Sequence, residues 1–137
     1  MWQIFALLSA VTAALMTIIA KVGLKGIDPT FATGIRSFFM FLFMLGLIGF
    51  TGKLKGFNTL DTHAVITIIF SAVFGALSWL FYFIALKTGD ATKVAALDRL
   101  SLAFILVLSI AFLAEKFTWK LAIGTLLVTA GAIVVAI

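Results

Sequence analysis

Of 137 residues, 64% are hydrophobic and 11% charged, and the mean hydropathy is +1.31, whereas a soluble domain carries about 25% charged residues. These values describe an integral membrane protein with no room for a separate water-facing domain, and the formal net charge of +5 reads as solvated flanks of apolar runs, not as a nucleic-acid surface. Cysteine is absent, which excludes disulfides, thiolate metal sites and cysteine nucleophiles.

In chain order, the first apolar run is Trp2 to Ala20, ending at Lys21. It has no basic segment ahead of it and no clear A-x-A cleavage site, so it is expected to be a retained first span, with Trp2 as an interfacial anchor. The linker Val22 to Thr30 holds Lys25, Gly26, Asp28 and Pro29, which favour a turn and a restart of helix. Phe31 to Phe50 follows, interrupted by Arg36 and closed by Thr51-Gly52-Lys53-Leu54-Lys55-Gly56. Ala64 to Leu86 carries no charge, and Lys87-Thr88-Gly89-Asp90 closes it. Ala91 to Ala114 is long enough to span yet contains Lys93, Asp98 and Arg99; Glu115-Lys116-Phe117-Thr118-Trp119-Lys120 then leads into Leu121 to Ile137.

Each run has about 17 to 24 residues, the length of a spanning helix, and the linkers are short enough to make neighbours antiparallel. The expected fold is all-α, a polytopic membrane helix bundle of five transmembrane helices at about 2–20, 31–50, 64–86, 91–114 and 121–137, in a single domain over 1–137. Small residues supply close-packing faces in lipid: Ser9, Ala13 and Thr17 on the first helix, Gly46 and Gly49 on the second, Ser71 and Gly75 on the third, and Gly124, Thr125, Thr129 and Gly131 on the fifth. Phe38, Phe39, Phe41 and Phe43 surround their helix and are expected to meet lipid. His63 falls in a loop without HExxH or a comparable cluster, so neither a metal site nor a cofactor is expected.

Asp98 stands roughly 12 Å along the helix from Asp90, well inside a hydrocarbon core about 30 Å thick. An ionised group at that depth is kept when it pairs, lines an aqueous cavity or handles a substrate. Alternating the helices places Arg36, Tyr82, Lys93, Asp98 and Arg99 in the same half of the membrane. Asp98 and Arg99 are adjacent and point about 100° apart, which makes Arg36 the natural partner of Asp98.

Two readings of that pair stand. It is either a structural ion pair fixing two helices, or a gate in a polar pocket bounded by Trp79 and Tyr82. The candidate substrate-binding residues are therefore Arg36, Trp79, Tyr82, Asp98 and Arg99, with Lys93, Ser101 and Glu115 as secondary candidates. Lys93 also reads as a side chain snorkelling to the interface, and Glu115 as a cap for the last helix, pairing with Lys116 or Lys120. No nucleophile with an adjacent base occurs, so no enzymatic activity is expected.

The sequence resembles the short, five-helix bacterial and archaeal members of the drug/metabolite transporter superfamily, relatives of EamA transporters. The resemblance rests on Ala20-Lys21-Val22-Gly23-Leu24, Ala32-Thr33-Gly34-Ile35-Arg36, Leu77-Ser78-Trp79-Leu80-Phe81-Tyr82, Leu86-Lys87-Thr88-Gly89-Asp90-Ala91, Leu97-Asp98-Arg99-Leu100-Ser101 and Ala114-Glu115-Lys116-Phe117-Thr118-Trp119-Lys120. It spans essentially the whole chain. The family pattern usually has proline where this chain has Ala96, which removes the usual cause of a kink in the fourth helix, and often a basic residue where this chain has Ile84.

The longer relatives have ten helices in two inverted five-helix repeats, so the resemblance implies one repeat that finds its second half by association. Lysines are nearly balanced between the two sides: Lys53, Lys55, Lys116 and Lys120 against Lys21, Lys25 and Lys87, or against six when Arg36, Lys93 and Arg99 are added to those three. Weak bias permits insertion both ways, and an odd helix number makes the partner inverted. The expectation is a dual-topology, antiparallel homodimer in a bacterial inner membrane or archaeal plasma membrane, carrying small metabolites, drug-like or lipid-linked solutes by alternating access. The alternative is a non-transporting membrane subunit whose buried ion pairs serve helix packing and partner binding.

Overall fold

A computed structural model describes residues 1–54, 56 and 60–137. Lys55, one of the lysines weighed in the charge balance, lies outside the described residues. Among the described residues six α-helices follow in order: α1 (Trp2–Gly23), α2 (Pro29–Phe50), α3 (Thr62–Thr88), α4 (Ala91–Asp98), α5 (Ser101–Leu113) and α6 (Trp119–Ala136). With α4 and α5 taken together as Ala91–Leu113, five segments are long and apolar enough to cross a membrane, so the all-α, five-span architecture holds. It has the make-up of one repeat of a ten-helix transporter.

The helix starts follow local chemistry. Asp28 caps α2: its carboxylate accepts from the backbone N–H of Thr30 at 2.9 Å and of Phe31 at 3.0 Å, and Pro29 at the first helical position gives up an N–H that would have no partner there. Asp61 does the same for α3, accepting from the Ala64 N–H at 2.8 Å. That cap starts α3 at Thr62, so His63 is helical and its carbonyl accepts from the Thr67 hydroxyl, a correction to its placement in a loop. The turn into α2 contains Gly26 at φ 76° and the turn after it Gly52 at φ 68°, where a Cβ would be strained.

The chain divides into two compact units. In Val22–Lys87, α2 and α3 meet around Arg36, Trp79 and Phe83. In the unit of Met1–Lys21 and Thr88–Ile137, α6 packs on both α4 and α5, and the Lys21 ammonium at the end of α1 donates to the Gly89 carbonyl at 2.8 Å. Hydroxyls inside the spans mostly satisfy themselves on their own helix: Thr17 donates to the Ala13 carbonyl, Thr33 to Pro29 and Ser37 to Thr33, at 2.9, 2.7 and 2.8 Å. Among the described residues the buried Thr129 hydroxyl has no hydrogen-bond partner.

Three expectations change. The fourth span is not one helix. Arg99 and Leu100 donate three residues back, to the carbonyls of Ala96 and Leu97, both at 3.0 Å, and this tighter turn separates α4 from α5 without a proline. Thr118, not Glu115, caps α6, its hydroxyl accepting from the Leu121 N–H at 3.3 Å. Glu115 instead closes α5, its backbone N–H donating to the Ser109 carbonyl at 3.3 Å beyond Ala114, which adopts φ 52°. Third, among the described residues of its own unit, each glycine of the small-residue faces leaves open space where a Cβ would stand. Beyond its chain neighbours and its own helix backbone, a Cβ added at Gly46, Gly49, Gly75, Gly124 or Gly131 would meet no described atom within 4 Å.

Candidate functional site

Arg36 is the single charged residue of α2, seven residues beyond Pro29 and so about 10 Å into the span. Its guanidinium carbon lies 3.8 Å from the centroid of the Trp79 ring and 5.5 Å from that of Phe83. Trp79 and Phe83 are four residues apart on α3 and share a face. Their rings meet edge to face at 6.1 Å and 89°, and Trp79 meets Tyr82 at 5.9 Å and 75°. Each such ring pair contributes about 0.5–1.5 kcal/mol and a desolvated guanidinium on an indole about 2 kcal/mol. Phe83 is 3% exposed, so the cluster rests on a fixed floor, while Arg36, Trp79 and Tyr82 are half-buried.

Among the described residues of Val22–Lys87 no acceptor engages the Arg36 side chain, whose close contacts are the two rings. The acids of that unit are Asp28 and Asp61, and both are engaged as helix caps. The Phe31 N–H, with further help from Thr30 and the positive Lys87, holds the Asp28 carboxyl below the usual carboxylate range, against the opposing effect of desolvation.

The other unit carries the remaining candidates. Asp98 is the last residue of α4 and Arg99 the first of the turn that follows; both side chains are exposed. Arg99 lines a cleft of about 270 Å³ whose walls include Ala13 and Thr17 of α1 and Thr92 and Ala95 of α4. Small side chains keep the two helices' facing surfaces open there. Lys93 donates to the Ile137 carbonyl at 3.2 Å, so its ammonium is engaged at the end of α6. Ser101 opens α5 and is exposed.

The structure therefore brings together Arg36, Trp79 and Tyr82, and separately sets Asp98 and Arg99 at a helix break. Phe83 belongs to the first group and was missed by sequence reasoning; its signal was the Trp79-x-x-x-Phe83 spacing. The α1 wall of the Arg99 cleft was visible as the Ala13, Thr17 stripe, which reads as packing when taken alone. No group of three or more His, Cys, Asp or Glu able to hold a metal occurs among the described residues.

Five apolar spans with guanidinium groups and a carboxylate inside them define a polytopic membrane protein, and such groups mark its candidate functional positions. The EamA-like transporter family matches residues 1–137. The chain is also 36% identical over 136 residues to a Sinorhizobium sp. protein named as an uncharacterized transporter in the cobO 3' region, covering 99% of this chain and 96% of that protein. The chain belongs to the EamA-like transporter family, and it is by family a membrane transporter. No solved structure matches it.

Proposed function

We propose that this protein is a secondary transporter of small metabolites or drug-like solutes that works by alternating access as an antiparallel homodimer. Asp98 carries the reading: a carboxylate about 12 Å inside a span that is exposed on the single chain. Left against lipid, such a group is costly, and a second copy or an aqueous path between copies removes the cost. The open glycine faces of α2, α3 and α6 support the same reading, because helices in lipid approach one another through small residues. Five spans leave the chain ends on opposite sides of the membrane, and an inverted second copy restores the arrangement of a ten-helix relative.

In this account Arg36 and Asp98 form the switchable pair, within one copy or across the dimer. Trp79 and Tyr82 supply an apolar wall and a hydroxyl for solute, and Arg99 adds a second polar contact from the α1–α4 cleft. The turn at Arg99 and Leu100 is the pivot about which α4 rocks relative to α5. Substrate entry breaks the ion pair, and its reformation after release resets the carrier.

Proteoliposomes loaded with a mixture of isotope-labelled metabolites and sampled outside by mass spectrometry test the proposal. Wild-type protein is expected to release at least one solute over time. Asp98→Asn is expected to abolish that release while keeping the dimer and the thermal unfolding profile of the parent. Full activity of Asp98→Asn, or no movement of any solute by the wild type, overturns the proposal.

A further inference from the structure

We infer that Arg36 is a carboxylate receptor and that the solute carried bears a carboxylate group. The inference rests on the transporter reading above and names its substrate class.

Arg36 makes its close contacts through aromatic rings, at 3.8 Å to Trp79 and 5.5 Å to Phe83. Stacking spends the flat face of a guanidinium and leaves the five N–H donors around its rim for another partner. Among the described residues of Val22–Lys87 the rim has none, and Asp28 and Asp61, the acids of that unit, are held in their caps. The result is a half-buried cation, oriented by stacking and without a counter-ion among the described residues of its unit, beside the Tyr82 ring.

The same geometry argues against a cationic solute. The indole and phenyl faces that would receive a cation are already covered by Arg36, and an incoming positive charge would meet the guanidinium first. It also favours a carboxylate over a phosphate ester. One negative charge neutralises one guanidinium, whereas a phosphate dianion would leave an uncompensated charge about 10 Å inside the span. A carboxylate matches the guanidinium fork in bidentate fashion.

Trp79 reports directly on this site once Trp2 and Trp119 are replaced by Phe, since the chain has three tryptophans. In phosphatidylcholine nanodiscs, that variant is titrated with benzoate, succinate, methyl phosphate and tetramethylammonium while its fluorescence is followed. The expected result is saturable change with benzoate or succinate, weakened about tenfold or more by Arg36→Gln. Arg36→Lys keeps the charge, loses the stacked fork and is expected to weaken binding as well; it decides the matter if Arg36→Gln does not fold. Lys53→Gln, in the α2–α3 loop, is expected to leave the titration unchanged.

Saturable binding of tetramethylammonium or methyl phosphate without binding of either carboxylate overturns the inference. So does carboxylate binding that survives both Arg36 variants. Either result leaves the transporter reading standing, because that reading fails only in the solute-release assay.

Discussion

The Arg36 guanidinium carbon lies 3.8 Å from the centre of the Trp79 ring, so the charged side chain inside α2 is held to α3 by stacking. This contact links packing to function: it fixes where a cation sits about 10 Å inside the membrane. A double-mutant cycle of Arg36→Gln and Trp79→Leu, read by unfolding in mixed micelles, is expected to give a coupling of about 0.5–2 kcal/mol. Additive effects would mean that the stack contributes nothing to the fold.

Asp28 makes the stability of α2 depend on pH. Its folded carboxyl titrates below the usual carboxylate range because the Phe31 and Thr30 N–H groups and Lys87 favour the anion. A depressed folded pKa stabilises at pH above the unfolded value, and the contribution disappears as pH falls through the folded value. Between neutral pH and about pH 3, wild type is therefore expected to lose thermal stability by a component that Asp28→Asn lacks. Asn still accepts from the same N–H groups, so the variant is expected to keep its helix start; identical pH profiles for the two proteins would contradict this origin.

Ala114 adopts φ 52° where α5 ends. An L-residue in that region costs about 1–2 kcal/mol that glycine avoids, partly offset by glycine's greater freedom when unfolded. Ala114→Gly is expected to stabilise the protein by about 0.5–1 kcal/mol, seen as a higher unfolding midpoint.

Thr129 buries a hydroxyl oxygen that has no hydrogen-bond partner among the described residues. Replacing it by valine keeps the branched shape and removes the unsatisfied group, so Thr129→Val is expected to raise stability by about 1 kcal/mol. A loss of stability would show that the hydroxyl finds a partner in the assembled protein.

Much of the fold was legible in the sequence, because apolar runs of spanning length leave few alternatives in lipid. Asp28-Pro29 marked the start of α2 by a mechanism, not only by composition. The break at Arg99 was not legible: no proline or glycine stands there, and a switch to three-residue hydrogen bonds leaves no mark in residue type. Thr118 ahead of Trp119 is a cap signal that residue type alone carries, since its hydroxyl can accept from a first-turn N–H whereas Glu115 stands four residues before the helix.

The site was legible in part for a similar reason. Charge complementarity leads from Arg36 to Asp98 and says nothing of rings. Stacking on Trp79 and Phe83 depends on the rotation and register of α3 against α2, which no single-chain pattern fixes. Phe83 itself was hidden in an apolar run where every residue looks alike.

The antiparallel dimer is the central claim, and orientation mapping tests it most directly. The native chain has no cysteine, so single cysteines at Lys53 in the α2–α3 loop and at Gly89 in the α3–α4 turn can be labelled in intact cells with an impermeant thiol reagent. The account predicts that each position is labelled in about half of the molecules, as insertion both ways requires. Labelling of only one of the two positions would contradict it.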